Sequence, residues 1–265
     1  MMQKDHVSVK PAYNVGIVTQ NQVVLNYGVT NTVSENTNYK TLIDETSRIT
    51  GVKPENAISD AGYGNEENYV LLENEGIRAF VKYNTYYKEK SPAWQKKRIR
   101  HNQFIYHPDL DSFRCPAGQS LSFVRTTEKK SSTNFVSHIR IYQASPESCH
   151  ICPLKTLCTE ANARSLNINR NLDRLKQKAK KLLSTKLGKK LYLQRSIEPE
   201  TVFGDQINNN TKRRFLLRGL AKVGIEAGIY YTSHNIRKIY QYLISNEHTF
   251  KQKLLPESLL PCNWV

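Results

Sequence analysis

The sequence predicts an α/β fold, a mixed sheet with helices packed on it, and three observations predict it. Apolar residues alternate at Tyr13, Val15 and Ile17 and again at Val23, Leu25, Tyr27 and Val29 across a turn at Gln20-Asn21, the pattern of a β-hairpin. Short apolar runs at Ala57-Ile58 and from Ile77 to Lys82 then alternate with helical stretches, so residues 11–83 read β-β-α-β-α-β. Glycines punctuate the ends of these elements, Gly51 after one helix, Gly76 after the next, and Gly62 and Gly64 in the turn between strand and helix.

The elements follow in order. Residues 1–10 are short and polar, and after the hairpin a polar loop from Asn31 to Asn38 leads into a helix over Tyr39–Ile49 whose Leu42, Thr46 and Ile49 share a face. Asp60 stands at the carboxyl end of the Ala57-Ile58 strand. Asn65 then fits a helix N-cap, with Glu66 and Glu67 in the first turn, where the helix dipole favours negative charge. Strand, acidic residue, glycine turn and helix is a layout that serves catalytic carboxylates, because ligands gather outside the carboxyl ends of strands. A lone Asp before a turn is also a common Asx-turn or capping residue.

After Tyr83 the character changes. Lys88 to Arg100 is rich in Lys and Arg, includes Lys96 and Lys97, and has no apolar periodicity, so it reads as a solvated basic loop. Short β-like pieces follow at 104–106, 121–124 and 137–142. Asn169–Lys190 reads as one basic helix with Leu172, Leu175, Ala179, Leu182 and Leu183 on a stripe. Pro199, flanked by Glu198 and Glu200, fits a helix's first turn, and either glutamate also serves simply to complement the helix dipole. A final helix covers about Phe215 to Leu243, where Gly219, Gly224 and Gly228 suggest close backbone approach, and the tail from Glu247 reads as loose.

Composition narrows the function. The 265 residues carry a formal net charge of +16, which favours a polyanionic partner, since each cation that neutralises a phosphate releases counterions. No apolar run approaches a membrane span and the start lacks a signal-peptide core, so a soluble cytoplasmic protein is expected. Four of the five cysteines, Cys115, Cys149, Cys152 and Cys158, then read either as the ligands of a structural Zn²⁺ or as reduced, partly buried thiols. His150 competes as a ligand, and Cys262 reads as a bystander.

Several ordered motifs carry a resemblance: Lys10-Pro-Ala-Tyr-Asn-Val, Asp60-Ala-Gly-Tyr-Gly, Val81-Lys-Tyr, the Cys-Pro-x-Gly-Gln at Cys115, Cys149-x2-Cys-Pro-Leu-x3-Cys, Ile197-Glu-Pro-Glu-x-Val-Phe-Gly and Arg213-Arg-Phe-Leu-Leu-Arg-Gly. Together they resemble the DDE transposases of bacterial insertion sequences, in the subgroup with a cysteine-bearing insertion. The resemblance implies an RNase H-like mixed sheet with flanking helices, split into 1–83, a basic cysteine-bearing insertion at 84–190, a helical part at 191–245 with the glutamate, and a tail at 246–265. It implies Asp60 and Glu200, rather than Glu198, as catalytic ligands of Mg²⁺ or Mn²⁺, and DNA, at transposon ends and target, as the partner. Arg195, Lys212, Arg213, Arg214, Lys96 and Lys97 are the implied DNA-binding residues. Tyr192 and Arg195 stand where the family carries a Tyr and an Arg, whereas Ile207 replaces its usual Lys. The family's first aspartate, in an Asp-Gly-Thr stretch, has no match, so the chain reads as a C-terminal portion with little strand transfer of its own. A homodimer or association with full-length transposase is implied as well, and the rival class is a non-catalytic DNA-binding protein or transposase inhibitor.

Overall fold

The structure, a computed structural model, describes residues 2–5, 8–10, 12–32, 38–205, 214–245 and 263–264, with 2–5, 8–10 and 263–264 as backbone alone. Its contacts divide it into two units, Met1–Lys82 with Lys178–Val265, and Tyr83–Gln177.

In the first unit, β1 (Met2–Asp5) and β2 (Ser8–Lys10) pair antiparallel. The two alternating runs form the hairpin of β3 (Asn14–Gln20) and β4 (Val23–Thr30). Its turn falls at Asn21-Gln22, one residue later than expected, where both residues have positive φ, 53° and 63°, matching the twist of a two-residue hairpin. Helix α1 (Tyr39–Thr50) ends on Gly51 at φ 69° and buries Tyr39, Leu42, Ile43 and Thr46. Ile49, expected on that face, is 56% exposed, because the packing surface closes at Thr46, whose hydroxyl takes a hydrogen bond from Asn26 of β4. Then β5 (Asn56–Ser59), α2 (Glu66–Asn74) and β6 (Arg78–Val81) form a parallel β-α-β unit. The Asn65 side chain caps α2 by accepting the Asn68 N–H at 2.9 Å, and Gly76 at φ 70° closes it.

In the second unit, the basic stretch expected as a loop carries a short helix, α3 (Pro92–Lys97), started by Pro92. An antiparallel sheet follows in the order β11-β10-β9-β8-β7. Its strands are β7 (Ile105–His107), β8 (Ser112–Arg114), β9 (Ser120–Lys130), β10 (Val136–Ala144) and β11 (Ser165–Ile168). The short helices α4 (Pro146–His150) and α5 (Lys155–Cys158) lie between β10 and β11 in the chain. Phe104, Leu121, Tyr142, Ala144, Leu166 and Ile168 form the core. Asp111, at φ 41°, accepts the hydroxyls of Tyr106 and Tyr142 at 2.8 Å each and pairs with Arg140 and Arg170.

The helix expected over 169–190 is two helices, α6 (Arg170–Ser184) and α7 (Lys186–Arg195). Thr185 caps α7 by accepting the Gly188 N–H at 3.0 Å. The corner needs Gly188, since a Cβ there would collide with the Leu182 carbonyl. The expected stripe is buried at Leu175, Ala179 and Leu183. In the first unit again, α8 (Glu198–Gly204) has Pro199 in its first turn and α9 (Leu220–Ser245) packs on the hairpin, with Val24, Val202, Ala227, Tyr230 and Tyr231 as the core. Helix α9 starts at Leu220 rather than Phe215, with Gly219 just ahead of it at φ 86°; of the two glycines inside it, Gly228 alone meets a close neighbour, the Tyr27 hydroxyl, which donates to the Gly224 carbonyl at 3.0 Å. The last described strand, β12 (Asn263–Trp264), pairs parallel with β5 at Asn56 and Ala57.

The fold is thus α/β. The one mixed sheet expected over residues 11–83, with the Asp60 strand beside the hairpin, needs correction. The β3–β4 hairpin is a two-stranded sheet, and β5 belongs to a separate one of order β12-β5-β6. Periodicity identifies strands but leaves their partners open, and β5 meets β6 and β12 rather than β3.

Candidate active site

Asp60 follows directly on β5, at the start of a short turn of helix over Ala61–Tyr63. Its side chain makes no capping bond there, so capping does not account for it. The Arg195 guanidinium, at the end of α7, forms an ion pair with its carboxylate; Arg195 is 14% exposed and Asp60 58%. Arg195 is in turn placed by Tyr192, one helical turn earlier, with its Cζ 5.8 Å from the ring centroid. The buried Lys82 sets its Nζ 3.2 Å from the same centroid. Both cations are within cation–π reach of that ring. Sequence reasoning missed Lys82 as part of this arrangement, although the motif Val81-Lys-Tyr signalled it.

A groove of about 180 Å³ opens beside Asp60, between β3, α1 and β5, and is floored by Val15, Ile17, Leu42 and Ile58. Arg195, Pro199 and Phe203 complete its rim. A larger, flatter depression of about 530 Å³ runs along α9 past Ile225, Ile229 and Ile236. It has no ionisable lining residue, so the chemistry belongs to the groove.

The two glutamates of α8 separate clearly. Glu198 is buried, and its Oε2 accepts the Gln22 N–H at 3.4 Å. Burial pushes its carboxyl up, and the N–H groups of Gln22 and Asn21 pull it back down. Glu198 therefore secures the hairpin turn. Gln22 is also held by His234, whose Nε2 is 3.0 Å from its carbonyl, and by Lys238. Glu200 is exposed. At about 100° per residue, Glu200 stands roughly 80° from the direction shared by Pro199 and Phe203, and Glu198 roughly 120° from it. Glu200 is thus nearer the groove.

The basic residues divide as well. Lys96, Lys97 and Arg214 are exposed, Arg195 is committed to Asp60, and Lys212 and Arg213 lie outside the described residues. Arg237 and Lys238 are engaged with Asp205 and Gln22. Asp205 also faces His234 Nδ1 at 2.9 Å. This knot joins α8 to α9 and had no signal in the sequence.

The second unit gathers Cys115, Cys149, Cys152 and Cys158 around one pocket. None is in a disulfide. His150 is exposed and outside the pocket lining, and Cys262 lies outside the described residues. Burial pushes the Cys158 thiol up, Arg164 draws it down, and the other three sulfurs push it up again. Among the described residues, no three Cys, His, Asp or Glu side chains stand in metal-ligand geometry.

Residues 114–240 match the family model described as a transposase DDE domain. The match supports a DDE transposase. It covers slightly less than half of the chain and contains Glu200, Arg195 and the four cysteines, while Asp60 lies before it. No curated protein and no solved structure matches the chain. A DDE transposase domain implies divalent metal and DNA as a partner. Among the described residues no helix is long and apolar enough to cross a membrane.

The donor set bears on the metal. Asp60 and Glu200 offer hard, solvent-reached oxygens, which suit Mg²⁺ or Mn²⁺, ions that keep several waters and take one or two carboxylates.

Proposed function

We propose that this chain is a transposase of an insertion sequence, binding DNA and acting in metal-dependent strand cleavage through Asp60 and Glu200, with little strand transfer of its own because the family's first aspartate has no match in it. The observation that carries the reading is the match to a transposase DDE domain across α8, taken with the position of Asp60 and Arg195 at the groove beside that helix. Asp60 and Glu200 would hold Mg²⁺ or Mn²⁺, which supplies charge neutralisation at the phosphate and activation of the attacking oxygen. Arg195 holds the Asp60 carboxylate, and its guanidinium is the shape that binds a phosphate bidentately. Lys96, Lys97 and Arg214, with Lys212 and Arg213, supply sequence-independent attraction to the DNA backbone.

The test is a nicking assay on supercoiled DNA with Mg²⁺ or Mn²⁺, run beside a DNA-binding assay. Asp60→Asn and Glu200→Gln are each expected to lower cleavage by about 10²-fold or more while binding persists, and Glu198→Gln is expected to spare the chemistry. Binding without metal-dependent nicking, unaltered by Asp60→Asn, would replace this reading with a non-catalytic DNA-binding protein or inhibitor.

A further inference from the structure

Four thiols in the second unit come from three separate places in the chain. Cys115 closes β8 at the turn into β9, Cys149 and Cys152 flank the end of α4, and Cys158 is the last residue of α5. All four line one pocket.

The backbone around them is arranged for sulfur that accepts. In the Cys-Pro-Ala-Gly-Gln turn, Gly118 takes φ 82°, its N–H donates to the Cys115 carbonyl at 2.8 Å, and the Gln119 N–H donates to Cys115 Sγ at 3.2 Å. The Arg164 N–H donates to Cys149 Sγ at 3.4 Å. A neutral thiol is a weak acceptor, whereas a metal-bound thiolate is a strong one and is oriented by such outer hydrogen bonds. Lys155 and Arg164 also line the pocket. Four thiolates around a divalent ion carry two net negative charges, and two cations offset them.

We propose that Cys115, Cys149, Cys152 and Cys158 bind one zinc ion as a closed, four-thiolate structural site that staples α4 and α5 to the β8–β9 turn. Four sulfurs suit a tetrahedral structural zinc at about 2.3 Å from each. The proposal is independent of the transposase reading, because it concerns metal content and not activity on DNA.

The full chain, purified without chelator, is expected to hold one zinc per chain by elemental analysis. Refolding with Co²⁺ should give the sulfur-to-cobalt charge-transfer and d–d bands of tetrahedral thiolate coordination. Cys115→Ser should weaken zinc retention against a competing chelator by about tenfold or more, since loss of an outer-shell partner alone costs 10- to 100-fold, and Cys262→Ser should leave the stoichiometry at one. Where Cys115→Ser fails to fold, alkylation of the wild type gives the same answer, four thiols being protected until the chelator is added. A chain with substoichiometric zinc and freely alkylated thiols, an iron–sulfur absorbance, or a Cys115→Ser variant that keeps its zinc would overturn the proposal.

Discussion

Two glycines about one helical turn apart, Gly224 and Gly228, show how much one methyl group decides in α9. A Cβ on Gly228 would collide with the Tyr27 hydroxyl, while one on Gly224 meets nothing within 4 Å. Gly228→Ala is therefore expected to destabilise by about 1–3 kcal/mol through overpacking. Gly224→Ala should be neutral or stabilise by up to about 1 kcal/mol through helix propensity. Thermal denaturation of the two variants tests this, and equal shifts would show that Tyr27 moves aside freely. The Asp60–Arg195 pair is a different case. Asp60 is more than half exposed, so water screens the pair and Arg195→Ala should cost no more than about 1 kcal/mol of stability. If Arg195 serves phosphate, the same variant lowers DNA cleavage far more than it lowers the melting temperature, and Arg195→Lys fails to restore it because Lys lacks the planar fork.

At the scale of elements, the sheet of the second unit depends on Asp111. The hydroxyls of Tyr106 and then Tyr142 hold its carboxyl below the ordinary range, and Arg140 and Arg170 add to the effect. A depressed carboxyl contributes stability that is complete above its unfolded value, about 3.9, and is lost as pH falls through the lower folded value. Melting curves taken downward from about pH 6 should therefore fall more steeply below pH ~4 for the wild type than for Asp111→Asn. Parallel curves would remove Asp111 from the account. The corner between α6 and α7 makes a second case. Thr185→Ala removes the cap on Gly188 and should cost about 1 kcal/mol, measured by urea unfolding; no change in midpoint would mean that the packing of Leu183 and Leu191, both buried, sets the corner without the cap.

For the whole molecule, a net charge of +16 predicts DNA binding that weakens steeply with salt. A plot of log affinity against log salt should be linear, and neutralising Lys96, Lys97 or Arg214 should each flatten its slope by about one where that residue meets a phosphate. A slope unchanged in all three variants would move the DNA surface elsewhere.

The sequence by itself determined the elements that local chemistry governs. Alternation marked the β3–β4 hairpin, Asn65 and Gly76 bounded α2, and Gly51 closed α1, because caps and left-handed turns depend on the residue in place. It also marked Asp60 and Glu200 and the four cysteines as the residues to watch. Only the tertiary structure decided what such residues face. It gave Glu198 to the hairpin turn, paired Asp60 with Arg195, set Lys82 on Tyr192, and placed β5 beside β6 and β12 rather than beside the hairpin. It split the basic 169–190 stretch at Thr185, where a continuous apolar stripe hid the break, and it engaged Arg237 and Lys238 in Asp205 and Gln22. Those outcomes rest on contacts between residues far apart in the chain, and periodicity, which reports which face of an element is buried, contains no information about the partner that buries it.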